Sequence, residues 1–464
     1  MPRGKKADAG RDAPAPPPRR VVRTGKDASA LHIRYDTAVY ERPCSVKVST
    51  SAGSPAQVQS AAAWRGVLPK FALLFFGIAL WHKGLSFYAY YLLPLAWVLD
   101  GGLGRFRDTA REPLVIAMLV LCGALGLGIL WSDDPGHGFK VWRRYLAFLV
   151  FIPYFALLNK ERLPWATGGM LIGYFGALAL GIYQWTVVGA QGIPPLAMPY
   201  LHFSSMLGIG IILALYLAAN ANRKIRAALW LLAILLLFLQ FNQNARGILI
   251  ATVLSSALLI LLLYRQEIRT FFAILSSLIV LVAIFAYNSP AFQERLEQAR
   301  NDIELSKAGE YGSSVGYRLA LWDIGLHGIA ERPFSGHGTG MAVNYFNKTV
   351  ETYKHGAYKD VRQFHDDILH YHNDWIEIAM HIGMLGLAAY AYLLWSWYKT
   401  LKLRQLTDLG AALICFIVLS GLTDNLVFFR QTIYLLLVVT AISIAWRKYH
   451  GVVYGQPRID RSRN

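Results

Sequence analysis

The feature that most constrains this sequence is a series of apolar stretches, most of them close to 20 residues long, separated by short polar connections. A helix needs about 20 apolar residues to cross a bilayer, and helices and closed barrels are the structures that satisfy their own backbone hydrogen bonds there. The chain is 55% hydrophobic and 16% charged, whereas soluble domains contain about 25% charged residues. The sequence therefore predicts an all-α membrane protein with about twelve transmembrane helices.

The predicted spans form a large group before residue 288 and a small group after residue 373. In chain order they cover 67–82, 85–100, 113–131, 142–159, 165–188, 201–220, 226–243, 247–264, 270–287, 374–398, 408–426 and 430–447. The first two are short, which suits tilted helices or a packed hairpin.

Lysine and arginine are concentrated in alternate connections, for example at Arg105, Lys160, Arg226, Arg265 and Lys402. The intervening short connections are nearly free of lysine. Cytoplasmic connections of membrane proteins carry the excess of these residues. We therefore expect both termini to be cytoplasmic and the long segment 288–373 to lie on the opposite side.

The domain organisation follows from these patterns. We expect a disordered basic cytoplasmic tail over 1–66, transmembrane helices 1–9 over 67–287, a helical external loop over 288–373, helices 10–12 over 374–447 and a second tail over 448–464. The net charge of +18 comes from the tails and the ends of spans, a distribution that favours contact with anionic lipid headgroups and not with nucleic acid.

The long segment has the sequence signals of helices. A charged amphipathic stretch covers 293–307, a second helix candidate starts at an N-capping Ser-Ser pair and ends before Pro333, and a third covers 339–353. The intervening GHGTG sequence, 336–340, is interpreted as a turn because no strand precedes it.

Three residues on the external side are candidates for chemistry: Arg246, Arg318 and His372. Each also fits an ordinary structural role, since an arginine at a helix end can snorkel, one beside Trp322 can stack on it, and a histidine can cap a helix. Together they suit a lipid pyrophosphate, because guanidinium groups bind phosphates bidentately and a neutral imidazole accepts a proton.

Two further hypotheses involve acidic residues. A divalent metal could be held by members of the cluster His365, Asp366, Asp367, His370 and His372, although their spacing matches no recognised ligand set. Asp424, at the external end of the eleventh span, is expected to pair with Arg430 or with Arg246.

Several of these residues lie in motifs that resemble the O-antigen ligase family. HNDWIEIAMHIGMLG matches a pattern of His, Asn, nine residues and Gly-x-x-Gly, from His372 to Gly386. SSVGYRLALWDIGLHGIAERPFSGHGTG is similar to the Ser-x-x-x-Arg-x-x-x-Trp block of the wider ligase and polymerase superfamily. NARG is similar to that superfamily's Ser-Arg-Gly, with Ala245 replacing the serine.

The resemblance implies a metal-independent, inverting glycosyltransferase of the GT-C type that needs no cofactor. The donor would be O-antigen on undecaprenyl pyrophosphate and the acceptor a sugar hydroxyl of lipid A-core, in the periplasm at a Gram-negative inner membrane. His372 would be the general base, and Arg246 and Arg318 would hold the pyrophosphate. We expect Asn373 and Asp374 to fix the His372 tautomer, with Trp322 supporting Arg318.

We also expect Gly383 and Gly386 to permit close helix packing, and the protein to be a monomer. Other activities remain open. An O-antigen polymerase or a protein O-oligosaccharyltransferase would use the same class of donor with a different acceptor. A transporter is the alternative from another class, but transporters bind substrate near the bilayer midplane, whereas the polar residues here gather at one face and in one loop.

Overall fold

The computed structural model describes residues 55–189, 196, 198–243, 245–361 and 370–451, with side chains described from residue 66 onward. The predicted tails at 1–54 and 452–464 lie outside this range, as do the candidate metal ligands His365, Asp366 and Asp367. The described residues form helices joined by turns and contain no strand. This confirms the all-α fold class.

Within the described residues, seventeen α-helices can be labelled in chain order. They are α1 (Pro55–Ala79), α2 (Lys83–Leu99), α3 (Gly102–Thr109), α4 (Pro113–Leu127), α5 (Pro135–Tyr145), α6 (Phe151–Leu157), α7 (Leu163–Thr186), α8 (Tyr200–Ala219), α9 (Arg223–Phe241), α10 (Arg246–Tyr264), α11 (Ile268–Asn288), α12 (Pro290–Lys307), α13 (Ser314–Glu331), α14 (Ala342–Thr349), α15 (Asp374–Leu403), α16 (Thr407–Thr423) and α17 (Arg430–His450).

Eight helices in the described part of the chain are long and apolar enough to cross a membrane: α4 with its 3-10 extension to Trp131, α7, α8, α9, α10, α11, α15 and α17. Two shorter apolar helices cover Gly66–Ala79 and Thr407–Thr423. By length and composition, the described helices therefore do not reach the predicted twelve spans. α2 has 17 residues and is also too short to be counted among them.

The predicted span over 142–159 is not a single α-helix. That stretch is divided among the end of α5, a 3-10 helix at Leu146–Val150 and α6. Pro153 lies in the first turn of α6, where a proline is tolerated because the missing N–H would have no partner in the helix. A continuous helix would have put this proline in its interior, at a cost of about 3 kcal/mol.

The first helix also begins earlier than expected, at Pro55 rather than at 67. Proline suits the first helical position, and the alanines at 61–63 have the highest helix propensity. Residues 55–66, which the sequence analysis assigned to the disordered tail, are therefore helical.

Burial separates the helices into central and peripheral ones. α8 and α17 are largely buried, while the apolar window of α11 contains no buried residue. α11 instead exposes Phe272, Ile279, Val280 and Ile284. An exposed apolar helix surface of this kind is suited to contact with lipid tails.

The segment 288–373 contains helices α12, α13 and α14, at the three places where the sequence predicts them. Apolar side chains of α13 and α14, among them Leu321, Ile324 and Phe346, form a second buried cluster with Tyr371 and Met380. Because this cluster includes residues of α15, it fixes the segment against the end of α15 at which the candidate residues lie.

α15 is broken in its interior, where Ile382 and Gly383 have non-helical backbone angles. The segment 333–340, here called the glycine-rich loop, fills the break. Three hydrogen bonds join them: His337 N to Met380 O at 2.9 Å, Gly338 N to His381 O at 2.9 Å and Met384 N to Pro333 O at 2.7 Å. The loop thus satisfies backbone groups that an apolar environment would leave without partners.

Gly383 has a φ of 61°, and a Cβ there would lie 2.5 Å from the Phe334 backbone. The expected role of Gly383 in helix packing is therefore corrected. This glycine permits the helix break and the close approach of the glycine-rich loop. A Cβ on Gly386 would meet Ile378 and Ile382 of its own helix. Both glycines are therefore required by the local geometry of the helix break and not by a neighbouring helix.

Candidate functional site

A histidine and a carboxylate meet where α15 begins and α16 ends. His372 precedes the N-cap of α15, and Asp424 is the C-cap of α16. The Nδ1 atom of His372 lies 3.0 Å from Oδ1 of Asp424. The two helices pack against each other, so the pair is formed by tertiary contact between residues far apart in the sequence.

The electrostatic environment keeps Asp424 ionised. Burial opposes its charge, but the hydrogen bond and charge of His372, together with the charge of Arg318, outweigh burial and hold its pKa below the usual range for an aspartate. An ionised carboxylate accepts hydrogen bonds and does not donate them. Nδ1 of His372 is therefore the donor in this pair.

Arg318 also contacts Asp424. Its Nη2 atom lies 3.9 Å from Oδ2 of the carboxylate, and its Nη1 donates to the backbone carbonyl and hydroxyl of Ser314 at 3.0 and 2.8 Å. The guanidinium is thus held at the site while remaining partly exposed. Asp424 pairs with Arg318 and His372, and not with Arg430 or Arg246 as expected, because α13 lies across the start of α15.

Arg246 is the first residue of α10, and α10 packs against α16. Its Nη1 donates to the backbone carbonyl of Arg295, and its charge interacts with those of Asp302 and Arg318. The two arginines that the sequence singled out are therefore near enough for their charges to interact. Arg246 belongs to a membrane helix and Arg318 to the segment 288–373.

The backbone of His372 is strained. Its φ of 49° lies in the left-handed region, which costs a residue with a side chain about 1–3 kcal/mol and is typical of functional sites. Two contacts hold the preceding residue, Tyr371: the indole N–H of Trp322 donates to its carbonyl at 3.0 Å, and its N–H donates to the Glu377 carboxylate at 2.9 Å. Trp322 therefore supports His372 rather than Arg318.

Asn373 and Asp374 do not take the part expected of them. The Asn373 carboxamide caps α15, accepting from the N–H groups of Trp375 and Ile376 at 3.0 and 3.2 Å. Asp374 is fully buried and accepts from the Val427 N–H and the Tyr390 hydroxyl at 3.1 and 3.2 Å. Their side chains point into the helix packing, so Asp424 orients the His372 ring in their place.

Two further residues line the site: Tyr317, which the sequence analysis did not single out, and His370, which it named only as a candidate metal ligand. Tyr317 packs edge-on against the His372 ring with centroids 5.6 Å apart, and burial raises its pKa to about 12. His370 lies 4.2 Å from His372 by ring centroids. Burial, followed by the charge of His372, lowers the His370 pKa to about 4, so His370 is neutral near pH 7.

One group of residues in the described part of the chain could hold a metal ion. One ligand atom each from His370, His372 and Asp424 lie within 4.8 Å of one another. Two imidazoles and a carboxylate suit several divalent metals. Both imidazole rings, however, already make hydrogen bonds within the group. His372 Nδ1 donates to Asp424, and His370 Nδ1 accepts from the His372 N–H at 3.2 Å.

Comparison with known proteins bears on the same part of the chain. A family model described as Wzy_C, O-Antigen ligase, matches residues 231–391. The O-antigen ligase of Escherichia coli (strain K12) is 30% identical over 162 residues, a match that covers 34% of this chain and 37% of that protein. The resemblance to the O-antigen ligase family is thus confirmed over a region that contains Arg246, Arg318 and His372. Asp424 lies beyond the residues of the family match.

Proposed function

We propose that this protein is a membrane-embedded glycosyltransferase that transfers O-antigen polysaccharide from undecaprenyl pyrophosphate to a sugar hydroxyl of lipid A-core. The site faces the periplasm of a Gram-negative inner membrane, and both termini are cytoplasmic. The reaction inverts the anomeric carbon and uses His372 as the general base. The match to the O-antigen ligase family over residues 231–391 supports the reaction class.

The observation that carries the mechanism is the 3.0 Å contact between His372 and Asp424. With Nδ1 donating to the carboxylate, the neutral ring has its lone pair on Nε2, which can accept the proton of an acceptor hydroxyl. Asp424 also stabilises the imidazolium that results. This arrangement is the carboxylate–imidazole pair by which enzymes activate hydroxyl nucleophiles.

The leaving group requires positive charge. The acceptor oxygen bonds to the anomeric carbon as the bond from that carbon to the diphosphate oxygen breaks, so negative charge develops on the diphosphate. Arg318 and Arg246 can contact it with their guanidinium groups, and charge-assisted hydrogen bonds contribute about 1.5–3 kcal/mol each. A site at the end of membrane helices can meet a lipid-borne donor and a lipid-borne acceptor together.

We propose that transfer needs no divalent metal, because the two arginines supply the charge that a cation would otherwise supply. Purified protein assayed in EDTA is expected to keep its activity. Loss of transfer in EDTA, restored by an added divalent ion, would contradict this and would assign His370, His372 and Asp424 to a metal site.

The activity itself is tested by the lipopolysaccharide of a deletion strain. We expect loss of long O-antigen chains, retention of core and accumulation of lipid-linked polymer. Short chains of one repeat on the core would instead identify a polymerase, and loss of glycan from a pilin-like protein would identify a protein O-oligosaccharyltransferase. Accumulation of the lipid-linked donor on the cytoplasmic side alone would point to transport.

A further inference from the structure

A second cleft lies outside the site described above, between α12, α13 and the 3-10 helix Tyr353–Gly356. Its volume is about 490 Å³, within the range of small-ligand sites. It is lined by Ile303, Ser306, Lys307, Tyr311, Leu319, Asp323, Lys354 and Tyr358. None of these residues has a part in the proposed transfer.

Tyrosine rings form one wall of the cleft. The rings of Tyr311 and Tyr358 meet edge to face with centroids 4.7 Å apart, and Tyr353 stacks behind Tyr358 at 6.2 Å. Tyr358 is buried and Tyr311 is half-buried, so the group is a fixed aromatic surface. Leu319, which is 42% exposed, extends the apolar surface beside it.

Polar groups are fixed at the edge of these rings. Oδ2 of Asp323 accepts from the Tyr358 hydroxyl at 2.6 Å and pairs with Nζ of Lys354 at 2.5 Å. The Asp323 side chain is 32% exposed and that of Lys354 52% exposed, so both can bind a ligand as well. The charges of Asp323 and Lys354 cancel, and Lys307 adds one positive charge to the lining of the cleft.

The backbone next to the cleft is strained. Lys354 and His355 have φ values of 51° and 60° and are followed by Gly356 at 80°, so three consecutive residues are left-handed. Such strain persists where the surrounding contacts enforce it, often at binding sites. Here the Asp323 carboxylate and the tyrosine rings hold Lys354 in place.

The cleft adjoins the candidate active site along α13. Leu319 and Asp323 are four residues apart on one face of the helix, and each follows a residue of the active-site face, Arg318 or Trp322. Successive residues of a helix are about 1.5 Å apart along its axis and about 100° apart around it, so the cleft lies on the face of α13 next to the active-site face. A glycan joined to a diphosphate at Arg318 would reach the cleft by passing around this helix.

We propose that this cleft binds the glycan chain of the lipid-linked donor, with sugar rings against Tyr311 and hydroxyls bonded to Asp323 and Lys354. The inference rests on the proposed function. Sugars combine apolar C–H faces with hydroxyl donors and acceptors, which matches an aromatic surface edged by a carboxylate and an ammonium group. The cleft holds long donors and has no part in the chemical step.

The test compares donors of one repeat and of several repeats with purified full-length protein. Tyr311→Ala and Asp323→Asn are expected to raise KM for the multi-repeat donor about 10-fold, the effect of one lost aromatic or hydrogen-bonding contact. We expect unchanged kcat and an unchanged KM for the single-repeat donor. Tyr287→Ala, which removes an 81% exposed tyrosine of α11, is the matched control. Equal KM changes for both donors, or none, would overturn the proposal.

A binding measurement separates this inference from the proposed function. The probe is the polysaccharide released by mild acid from the source strain's lipopolysaccharide, titrated against wild-type protein and both cleft variants, with dextran for comparison. Weaker binding by the variants supports the cleft even if wild-type protein transfers nothing. If wild-type protein is active but the two cleft variants bind the probe as well as wild-type protein does, the proposed role of the cleft is refuted and the proposed function is not. Melting temperatures show whether each variant is folded.

Discussion

Asp424 is only 2% exposed, yet it remains charged because His372 and Arg318 contact it. A depressed pKa means that the folded protein releases this proton more readily than the unfolded chain. The stabilisation is therefore fully present above the usual aspartate pKa and is lost as the pH falls through the depressed value. Between about pH 5 and 8, where an imidazole titrates, the carboxylate stays ionised.

Transfer should depend on the neutral form of the His372 imidazole and not on protonation of Asp424. A protonated imidazole cannot accept the acceptor's proton. His372→Ala should still bind donor but transfer it about 10²–10⁴-fold more slowly. A His372→Gln variant with wild-type turnover and pH profile would show that His372 only positions the acceptor.

Replacement of Asp424 by Asn tests whether the carboxylate orients His372. The amide removes the charge that fixes Nδ1–H and stabilises the imidazolium, so kcat should fall about 10²-fold or more. Asp408→Asn changes an aspartate at the other end of α16 and should leave kcat unchanged. Wild-type kcat in Asp424→Asn would remove the carboxylate from the mechanism.

The two arginines are expected to act on the donor. Arg318→Ala and Arg246→Ala should each lower kcat/KM about 10–100-fold, the loss of one charge-assisted hydrogen bond. Lysine should rescue poorly because it lacks the planar pair of donors. Arg300→Ala removes an 85% exposed side chain of α12 and serves as the control. An alanine variant with near-normal kcat/KM would exclude that arginine from the site.

At the scale of elements, the broken helix α15 connects the glycine-rich loop to His372. His381, beside the break, lies 3.3 Å from Glu377, and Glu377 accepts the N–H of Tyr371. The His381 ring also accepts from the Gly340 N–H at 3.4 Å. A substitution in the glycine-rich loop is therefore expected to displace Tyr371, the residue that precedes His372.

Gly383→Ala should disturb this connection. An added Cβ would clash with the Phe334 backbone in a left-handed conformation, which costs about 1–3 kcal/mol. We expect a lower melting temperature in detergent and a lower kcat. Gly176→Ala in α7, where a Cβ meets nothing within 4 Å, should show neither effect. Equal melting temperatures for the two variants would show that α15 tolerates the side chain.

At the scale of the whole molecule, basic side chains lie at both ends of α15. At the end remote from His372, Arg404 pairs with Glu112 at 2.9 Å and Arg447 donates to Gln405 at 2.6 Å. At the other end, Arg318 contacts Asp424 and the charge of Arg144 acts on His370. The proposed cytoplasmic side for both termini therefore rests on the concentration of lysine and arginine in alternate connections of the sequence.

Cysteine labelling tests that topology. In a background without Cys44, Cys122 and Cys415, we expect an impermeant reagent to label Glu310→Cys in intact spheroplasts and Gln405→Cys only after permeabilisation. The physical reason is the asymmetry of lysine and arginine between the two faces. Labelling at 405 but not at 310 in intact spheroplasts would show that the topology is the reverse of the one proposed.

The sequence by itself determined the properties that follow from local composition and spacing. Apolar stretches predicted the helical membrane architecture, capping and turn residues predicted α13 and the turn at 336–340, and short motifs identified Arg246, Arg318 and His372. Each depends on residues close together in the chain, so the pattern is readable without knowing what packs against it.

Only the tertiary structure decided which side chains meet. The pairing of Asp424 with His372 depends on contact between α15 and α16 across a sequence separation of 52 residues, and nothing in either helix specifies that partner. Asn373 and Asp374 adjoin His372 in sequence but turn into the helix packing. The tyrosine cleft likewise requires α12 to lie against α13. Contacts between distant segments depend on how buried surfaces fit together, a property of the folded chain as a whole.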